Sequence, residues 1–387
     1  MRPKHSNRRR STVFKTELTR TLKIRYPIFQ APMAGGPTTP ELVAAVSNAG
    51  GLGNLGAGYL TPEQLRGAIQ KIRELTDQPF GVNLFVPEQS EESEEAVVQM
   101  TDYLNNYRVR LGIAQNPSIP KSSESFEEQV QVLLEEKIPV FSFTFGIPPH
   151  DLIQAMKQRG TVVIGTATTV EESNHLEVAG VDAIVAQGCE AGGHRGTFLK
   201  DVSESLIGTM ALVPQIVDHV SIPVIASGGI MDGRGLVASL ALGAGAVQMG
   251  TAFLACPESG ANETYKQKIL SANEDSTEIT RAYSGKAARG IRTTFMNDMH
   301  QYPGTIPAYP IQNAMTRDIR QAAAKANDPE YMSLWAGQGL RLASDQSAAA
   351  IVKQTIEQAD ELVKKVSSIR GNDSDSSTRI CKWEGLN

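Results

Sequence analysis

Short apolar runs alternate with amphipathic stretches along most of the chain, and Gly or Pro closes most of these runs. Runs that are rich in β-branched residues and bounded by turn residues are typical of strands. The predicted strands are residues 27–31, 51–55, 80–86, 140–145, 162–167, 183–188, 223–229 and 246–251.

The stretches between these runs have the signals of helices. In residues 61–75, Thr61 can cap the N-terminus and Pro62 suits the first helical position. Residues 170–180 and 233–243 are similar in length, and the first of them ends in a glycine that can serve as a C-cap.

The order of these elements predicts the fold. Near-continuously apolar strands, each followed by a crossover helix, form a parallel sheet that is covered on its outside. Closed on itself, such a sheet is an α/β fold, the TIM (β/α)8 barrel. An open doubly wound sheet is the alternative, but its glycine fingerprint should follow the first strand. The glycine motifs of this chain follow the sixth, seventh and eighth predicted strands, which favours the barrel.

The pattern also divides the chain into segments. Residues 88–137 look like an insertion. A helix is predicted near the C-terminal end of the chain, and a coiled coil is the alternative interpretation of that segment. The predicted segments are a basic disordered arm at 1–22, the barrel at 23–255, a smaller substrate or cap domain at 256–344, a helix on the barrel at 345–370 and a polar tail at 371–387.

Composition excludes several classes of protein. The net charge of −5 gives no sign of nucleic-acid binding. No apolar run reaches the roughly 18 residues of a membrane span. Three widely spaced cysteines argue against a disulfide framework and against a zinc site, and they indicate a reducing compartment such as the cytoplasm.

Residues 1–25 carry nine Lys or Arg residues against one acid, Glu17, which resembles an organellar transit segment. Import into an organelle is therefore an alternative to a cytoplasmic location, although a short disordered arm is the favoured interpretation. The sequence leaves the oligomeric state open between a monomer and a homodimer.

The sharpest chemical signal is the run A-Q-G-C-E-A-G-G-H-R-G at residues 186–196, which places His194 among glycines. Small residues at Ala191, Gly192 and Gly193 let the backbone approach a flat or phosphorylated ligand closely. An imidazole beside such a ligand can take or give a proton near neutral pH. The run therefore predicts cofactor chemistry.

A phosphate site is predicted in the loops after the seventh and eighth strands, where barrels usually have one. Gly228 and Gly229 in the first loop and Gly250 in the second allow backbone N–H groups to converge on a phosphate. Thr251 adds a hydroxyl.

Other strand ends predict a planar ligand. Pro32 and Met33 suit the face of an isoalloxazine ring. Asn83 lies within a strand, where a buried amide needs partners that the polar edge of a flavin would supply. Gln187 and Gln248 are comparable amides at the ends of strands.

Two residues near His194 have open roles. Cys189 could be proposed as a nucleophile, but a small packed side chain is the favoured interpretation. Glu190 could orient His194 or cap the following turn.

These motifs resemble class I nitronate monooxygenase, formerly 2-nitropropane dioxygenase, from about Pro27 to Leu342. The segment W-A-G-Q-G-L-R-L-A at residues 335–343 is similar to the family's C-terminal segment. The motifs are Q-A-P-M-A-G-G, G-V-N-L-F-V-P, A-Q-G-C-E-A-G-G-H-R-G, P-V-I-A-S-G-G-I-M-D-G-R and A-V-Q-M-G-T-A-F-L.

The resemblance implies a barrel that binds FMN non-covalently, with His194 as the catalytic base and with no metal. The base would convert a neutral nitroalkane into its nitronate, which would pass one electron to FMN. Dioxygen would reoxidise the flavin, and the products would be a carbonyl compound and nitrite. A short alkyl nitronate such as propionate 3-nitronate is the expected substrate. The expected cofactor-binding residues are Ala31, Pro32, Met33, Asn83, Gln187, Gly192, Gly193, Gly228, Gly229, Gln248, Met249, Gly250 and Thr251.

Three other functions fit parts of the pattern. An FMN-dependent enoyl-acyl-carrier-protein reductase would use NADH, and a flavin-free isomerase or aldolase would need a strand-end Lys or paired carboxylates. A non-catalytic flavin-binding protein would have no use for His194. The run around His194 and residues 301–342 favour the monooxygenase, while Tyr283, Tyr302 and Tyr309 are unassigned candidates for the pocket wall.

Overall fold

The computed structural model of the protein describes residues 14–88, 93–119 and 121–369. Within these ranges the chain forms eleven strands, of which eight lie at the predicted places and three, at residues 193–194, 277–280 and 288–291, were not predicted. The strands are β1 (Ile28–Gln30), β2 (Gly53–Gly56), β3 (Phe80–Phe85), β4 (Val140–Thr144), β5 (Val162–Ala167), β6 (Ala183–Gln187), β7 (Gly193–His194), β8 (Val224–Ser227), β9 (Ala246–Met249), β10 (Thr277–Thr280) and β11 (Ala288–Ile291).

Eight of the described strands form one parallel sheet in the order β1-β9-β8-β6-β5-β4-β3-β2. The two outer strands of this order also meet, since Phe29 pairs with Leu52 in a parallel bridge. The Gln30 N–H donates to the Leu52 carbonyl at 2.9 Å, and the Leu52 N–H donates to the Ile28 carbonyl at 2.9 Å. The sheet is therefore a closed barrel, as predicted, and the open doubly wound alternative is wrong.

Helices cover the outside of the barrel and build the segment beyond it. Short 3-10 helices lie at Val202–Ser205, Pro329–Tyr331 and Leu340–Leu342. The α-helices of the described ranges are α1 (Glu17–Thr21), α2 (Pro40–Asn48), α3 (Pro62–Leu75), α4 (Glu94–Arg110), α5 (Phe126–Glu135), α6 (His150–Gln158), α7 (Val170–Ala179), α8 (Thr209–Val217), α9 (Gly233–Ala241), α10 (Thr251–Leu254), α11 (Glu263–Ser271), α12 (Thr294–His300), α13 (Ile311–Met315), α14 (Arg317–Ala326) and α15 (Ala348–Ile369).

The predicted helix caps are present. The Thr61 side chain accepts from the Gln64 N–H, and Pro62 is the first residue of α3. Helix α7 ends at Gly180, whose φ of 89° is the left-handed conformation that favours glycine at this position.

Side chains of the barrel strands pack alternately inside and outside. Ile28 and Val247 pack with the helices, whereas Phe29 and Ile225 belong to a cluster of strand residues inside the barrel. Leu18 of α1 joins this inner cluster and is buried.

Helix α1 corrects part of the sequence interpretation. The arm at residues 1–22 was expected to be disordered, but α1 lies within it and is packed against the barrel through Leu18 and Leu22. Its apolar positions lie among the basic residues Lys15, Arg20 and Lys23, which hide them in the sequence. Residues 1–13 and the predicted tail at 371–387 lie outside the described residues.

Residues 256–344 contribute most of a second hydrophobic cluster, to which α4 adds Met100 and Leu104. Its sheet is antiparallel, in the order β10-β11-β7. Because β7 lies in the connection after the barrel strand β6, this small sheet ties the second cluster to the barrel.

Helix α15 packs against α9 and α2 on the outside of the barrel. Val352, Ile356 and Ala359 are buried there. Gly233 at the start of α9 faces the backbone of Ala359 so closely that a Cβ atom would overlap it, which explains the glycine. None of the helices in the described ranges has the length and apolar composition that crossing a membrane requires.

Candidate functional site

A cavity of about 650 Å³ opens at the carboxyl ends of the barrel strands. Strand ends form its floor, and residues from β7, α13, α14 and the segment 332–339 form its walls. Barrel enzymes have their active sites at this end, because the loops that follow the strands converge there.

The structure brings nearly all of the sequence-predicted site residues to this cavity. Met249 is the exception, because its side chain is 1% exposed and belongs to the cluster between the strands and the helices. Adjacent strand residues face opposite sides, so Gln248 lines the cavity and Met249 faces away from it. The predicted residues in the wall are Ala31, Pro32, Met33, Asn83, Gln187, Gly192, Gly193, His194, Gly228, Gly229, Gln248, Gly250 and Thr251.

The loop after β8 has the geometry of an anion cradle. Gly228 and Gly229 have φ values of +120° and +68°, which favour glycine. A Cβ atom on Gly228 would lie 2.7 Å from the Thr209 hydroxyl. Within the described part of the chain, the N–H groups of Gly228, Gly229 and Ile230 donate to no protein acceptor. Successive free N–H groups of this kind bind phosphate.

Gly192 and Thr251 have a structural role as well. A Cβ atom on Gly192 would lie 2.5 Å from backbone atoms of Ala336 and Gly337. The Thr251 hydroxyl accepts from the Gly337 N–H at 2.9 Å. Thr251 therefore binds the segment that contains Ala336 and Gly337, and the absence of a side chain at Gly192 lets this segment lie close to it.

Two of the three strand-end amides have polar atoms free for a ligand. Asn83 lines the cavity, and its amide donates to the Ser142 hydroxyl at 3.0 Å, which leaves its oxygen without a partner among the described residues. The Gln248 side chain makes no hydrogen bond within the described residues. Gln187 differs, because its amide donates to the His194 carbonyl at 3.1 Å and accepts from the Gly196 N–H at 2.8 Å. Its polar atoms therefore position the His194 loop.

His194 is held by a strand rather than by a free loop. It belongs to β7 and pairs with Ala288 of β11. Its ring lies among aromatic rings, with centroid distances of 5.6 Å to Phe145, 5.6 Å to Trp335 and 5.8 Å to Tyr309. These rings fix the orientation of the imidazole at the cavity wall.

The environment of His194 favours the neutral imidazole. Burial lowers its pKa from 6.5 to about 3, and the positive charges of Lys286 and Arg320 add to this effect. The imidazole Nε2 lies 2.8 Å from the Ser284 hydroxyl. A neutral imidazole has a lone pair that can accept a proton at neutral pH.

The chain beyond His194 is anchored by a buried cation. The Arg195 guanidinium donates to the Gly188 carbonyl at 2.7 Å and to the Ser205 carbonyl at 2.9 Å. Burial lowers the pKa of Arg195 to about 10, so its guanidinium stays charged at neutral pH. The backbone at His194 and just after it is therefore fixed by the Gln187 amide and by the Arg195 guanidinium.

Two arginines of α14 give one wall of the cavity a positive charge. Arg317 and Arg320 both line it. Arg320 donates to the Asn313 carbonyl at 2.7 Å and to its amide oxygen at 2.9 Å. Within the described residues neither arginine forms an ion pair with a carboxylate. Their charge is therefore available to an anionic ligand.

The structure decides the open roles of Glu190 and Cys189. The Glu190 carboxylate accepts from the Thr209 N–H at 2.9 Å and from the Thr209 hydroxyl at 2.9 Å, so it caps the start of α8. Cys189 does not line the cavity, and its carbonyl accepts from the Arg289 guanidinium at 2.9 Å.

The three tyrosines also differ in position. Tyr283 is buried outside the cavity, with its hydroxyl 2.6 Å from that of Thr293. Tyr302 packs on Tyr103, away from the cavity. Tyr309 does not line the cavity either, although its ring centroid lies 5.8 Å from that of His194.

Several residues of the site had no distinguishing signal in the sequence. Tyr59, Phe85 and Trp335 line the cavity, but an aromatic residue is more often part of a core. In the sequence, Arg320 cannot be distinguished from an ordinary residue on the polar face of an amphipathic helix. The spacing of Arg317 and Arg320 on one side of α14 is the one feature that could have indicated a shared surface.

The sequence of the chain matches one family model and several known proteins over most of its length. The family model described as nitronate monooxygenase matches residues 15–358. A probable nitronate monooxygenase from Staphylococcus haemolyticus is 49% identical over 355 residues, which are 91% of this chain and 99% of that protein. One from Staphylococcus aureus is 48% identical over 351 residues, which are 90% of this chain and 99% of that protein.

Solved structures show the same fold. A nitroalkane oxidase from Streptomyces ansochromogenes has a TM-score of 0.84 and 39% identity, with 90% of this chain and 99% of that one covered. FabK from Thermotoga maritima has a TM-score of 0.73 and 34% identity, with 92% and 99% covered. The enoyl reductase domain of MlnA from Bacillus amyloliquefaciens is 12% identical, with a TM-score of 0.64 and 93% and 99% covered, so it shows the fold alone.

Proposed function

Because this chain belongs to the nitronate monooxygenase family, whose members are flavin-dependent oxidoreductases, we propose that it binds FMN in the cavity and oxidises alkyl nitronates with dioxygen. The products are a carbonyl compound and nitrite. Neutral nitroalkanes are substrates after His194 removes their α-proton. The observation that carries the proposal is the His194 imidazole in the wall of a cavity that also contains the N–H groups of Gly228 and Gly229, which have no acceptor among the described residues.

The residues of the cavity fit FMN. The free N–H groups of Gly228 and Gly229 suit its phosphate. The Asn83 amide oxygen and the Gln248 amide suit the polar edge of its ring system. Met33, which lines the cavity, would offer a soft thioether to that ring system. Bound FMN supplies the one-electron chemistry between the nitronate and dioxygen.

His194 carries out the proton transfer. Its ring is held by Ser284 and by the surrounding aromatic rings, so a substrate in the cavity meets the imidazole in one orientation. The imidazole accepts the α-proton of a neutral nitroalkane and becomes imidazolium. The nitronate formed in the same step is an anion beside this cation, and their attraction stabilises both products of the transfer.

The cationic wall favours the nitronate over its neutral parent. Arg317 and Arg320 have no carboxylate partner among the described residues, whereas Lys286, whose charge also acts on His194, is paired with Glu88 at 2.5 Å. An anion in the cavity therefore gains electrostatic stabilisation that a neutral nitroalkane lacks. This preference supports a nitronate as the species that is oxidised.

The first experiment tests cofactor and reaction together. Purified protein mixed with FMN and passed through a desalting column is expected to stay yellow, because the cradle and the amides hold the cofactor. With ethyl nitronate in air it is expected to release nitrite and to consume dioxygen. A colourless protein without nitrite release would contradict the proposal. Rapid flavin bleaching by NADH in the absence of a nitro compound would favour the reductase instead.

The pKa of His194 predicts the acid side of the pH profile. A base must be neutral to accept a proton, so activity with a neutral nitroalkane is lost only as the pH approaches the lowered pKa of about 3. We expect kcat/KM for nitroethane to show no decline as the pH falls through about 6.5, the ordinary pKa of histidine. Preformed ethyl nitronate, which does not need the base, is the control substrate. A tenfold decrease per pH unit below about 6.5 for nitroethane alone would contradict the prediction.

A further inference from the structure

The Ser284 hydroxyl has a complete set of hydrogen-bond partners. Ser284 is 1% exposed. Its Oγ donates to the Lys286 carbonyl at 3.1 Å, accepts from the Lys286 N–H at 3.3 Å and lies 2.8 Å from Nε2 of His194. A serine hydroxyl has one hydrogen to donate and two lone pairs to accept with. If the hydrogen goes to the Lys286 carbonyl, the contact with His194 is one in which Nε2–H donates.

The other histidine tautomer satisfies fewer groups. If Nε2 had no hydrogen, the Ser284 hydroxyl would have to donate to it, and the Lys286 carbonyl would lose this donor. Within the described residues, no other group donates to that carbonyl. Because that tautomer leaves the carbonyl without a hydrogen bond in the described structure, the hydrogen-bond count favours the tautomer with the hydrogen on Nε2.

The second ring nitrogen is open to the cavity. Nδ1 of His194 makes no hydrogen bond within the described part of the chain. It is also absent from the buried polar atoms that lack a partner there. Since the ring lines the cavity, the lone pair of Nδ1 is accessible to a bound substrate.

From these contacts we propose that Ser284 is a positioning residue that fixes His194 in its Nε2–H tautomer and leaves Nδ1 to accept the substrate proton. This inference rests on the proposed function, in which His194 is the base. A group on the far side of an imidazole determines which nitrogen carries the hydrogen, and it stabilises the imidazolium that forms. Ser284 does both through one hydrogen bond, although it lies 90 residues from His194 in the sequence.

The test combines kinetics with nuclear magnetic resonance on FMN-loaded enzyme. The variants are Ser284→Ala and the matched control Ser239→Ala, a buried serine of α9 whose hydroxyl donates to the Gly235 carbonyl. Initial rates are measured with nitroethane and with preformed ethyl nitronate. In protein with 15N-labelled histidine rings, the signals of His194 are identified by their absence from His194→Asn.

We expect wild-type enzyme and Ser239→Ala to show His194 with hydrogen on Nε2 and none on Nδ1. Ser284→Ala is expected to show a mixture of tautomers. It should also lose about 10- to 100-fold in kcat with nitroethane, the effect of one hydrogen bond to a group that becomes charged. Its rate with ethyl nitronate should stay close to that of the wild type.

The proposal would be overturned by hydrogen on Nδ1 in the wild type, or by an unchanged tautomer and nitroethane rate in Ser284→Ala. Equal loss with both substrates would also overturn it, because the proton transfer would then not be the step affected. Failure of the proposed function looks different. Wild-type enzyme would then oxidise neither substrate, while the ring signals would still report the tautomer.

Discussion

His194→Asn is expected to lose turnover of neutral nitroalkanes by about 10²- to 10⁴-fold, the usual contribution of a general base. Asparagine is polar and small enough to keep a hydrogen bond near Ser284, but its amide cannot accept a proton at neutral pH. Oxidation of preformed ethyl nitronate should stay close to the wild-type rate, because that substrate has already lost its α-proton. The measurement is nitrite release from each substrate by FMN-loaded protein.

The control for this variant is His175→Asn, which changes an exposed histidine of α7 outside the cavity wall. It should leave both rates unchanged. FMN content is measured for every variant, so that loss of cofactor is separated from loss of the base. Equal loss with the nitroalkane and the nitronate in His194→Asn would remove the base assignment and would leave a role in binding.

The barrel could be predicted because its strands have a signal that depends only on their own residues. A parallel strand covered on both faces is apolar along its length, and the helix between two strands has its own period and caps, as α3 shows with Thr61 and Pro62. Helix α1 could not be predicted in this way. Its few apolar residues, Leu18 among them, are dispersed in a basic segment. Their role is seen only in the folded structure, where they pack against strand residues of the barrel.

Some residues of the site could likewise be predicted from the sequence, and others could not. Asn83, Gln187, Gly229 and Gln248 were predicted because the carboxyl ends of parallel strands must meet at one end of a barrel. Ser284 was not predicted, because it reaches His194 through the pairing of β7 with β11. Strand β7 has two residues, so it has no alternation of polar and apolar positions that could indicate a strand or its partner.

Contacts between distant parts of the chain also give some correctly placed residues a role that differs from the predicted one. Gly192 was expected to allow a ligand to approach, but its lack of a side chain is required by Ala336 and Gly337. Gln187 was expected to contact the cofactor, but its amide binds the backbone around His194. In both cases the sequence indicated that a small or polar residue was needed and could not indicate which neighbour required it.

Glu172→Ala is expected to lower the free energy of unfolding by about 3 kcal/mol or more. Glu172 of α7 is fully buried. One carboxylate oxygen accepts from the Thr168 N–H at 2.6 Å and from the Thr168 hydroxyl at 2.7 Å. The other accepts from the Thr197 hydroxyl at 2.8 Å, the Phe198 N–H at 2.6 Å and the Leu199 N–H at 3.2 Å. Alanine leaves these buried donors without an acceptor, and urea unfolding measures the cost.

The neighbouring Glu171 provides the matched control. It is an exposed residue of the same helix whose carboxylate contacts Lys200 at 2.9 Å, so Glu171→Ala should change the unfolding midpoint little. Glu172→Gln keeps the shape but turns one acceptor into a donor that faces other donors, so we expect a loss between those of the two alanine variants. Because Glu172 holds the chain just beyond His194, both Glu172 variants should also reduce nitroethane turnover. Equal stability of Glu172→Ala and Glu171→Ala would show that the loop after His194 is held by other contacts.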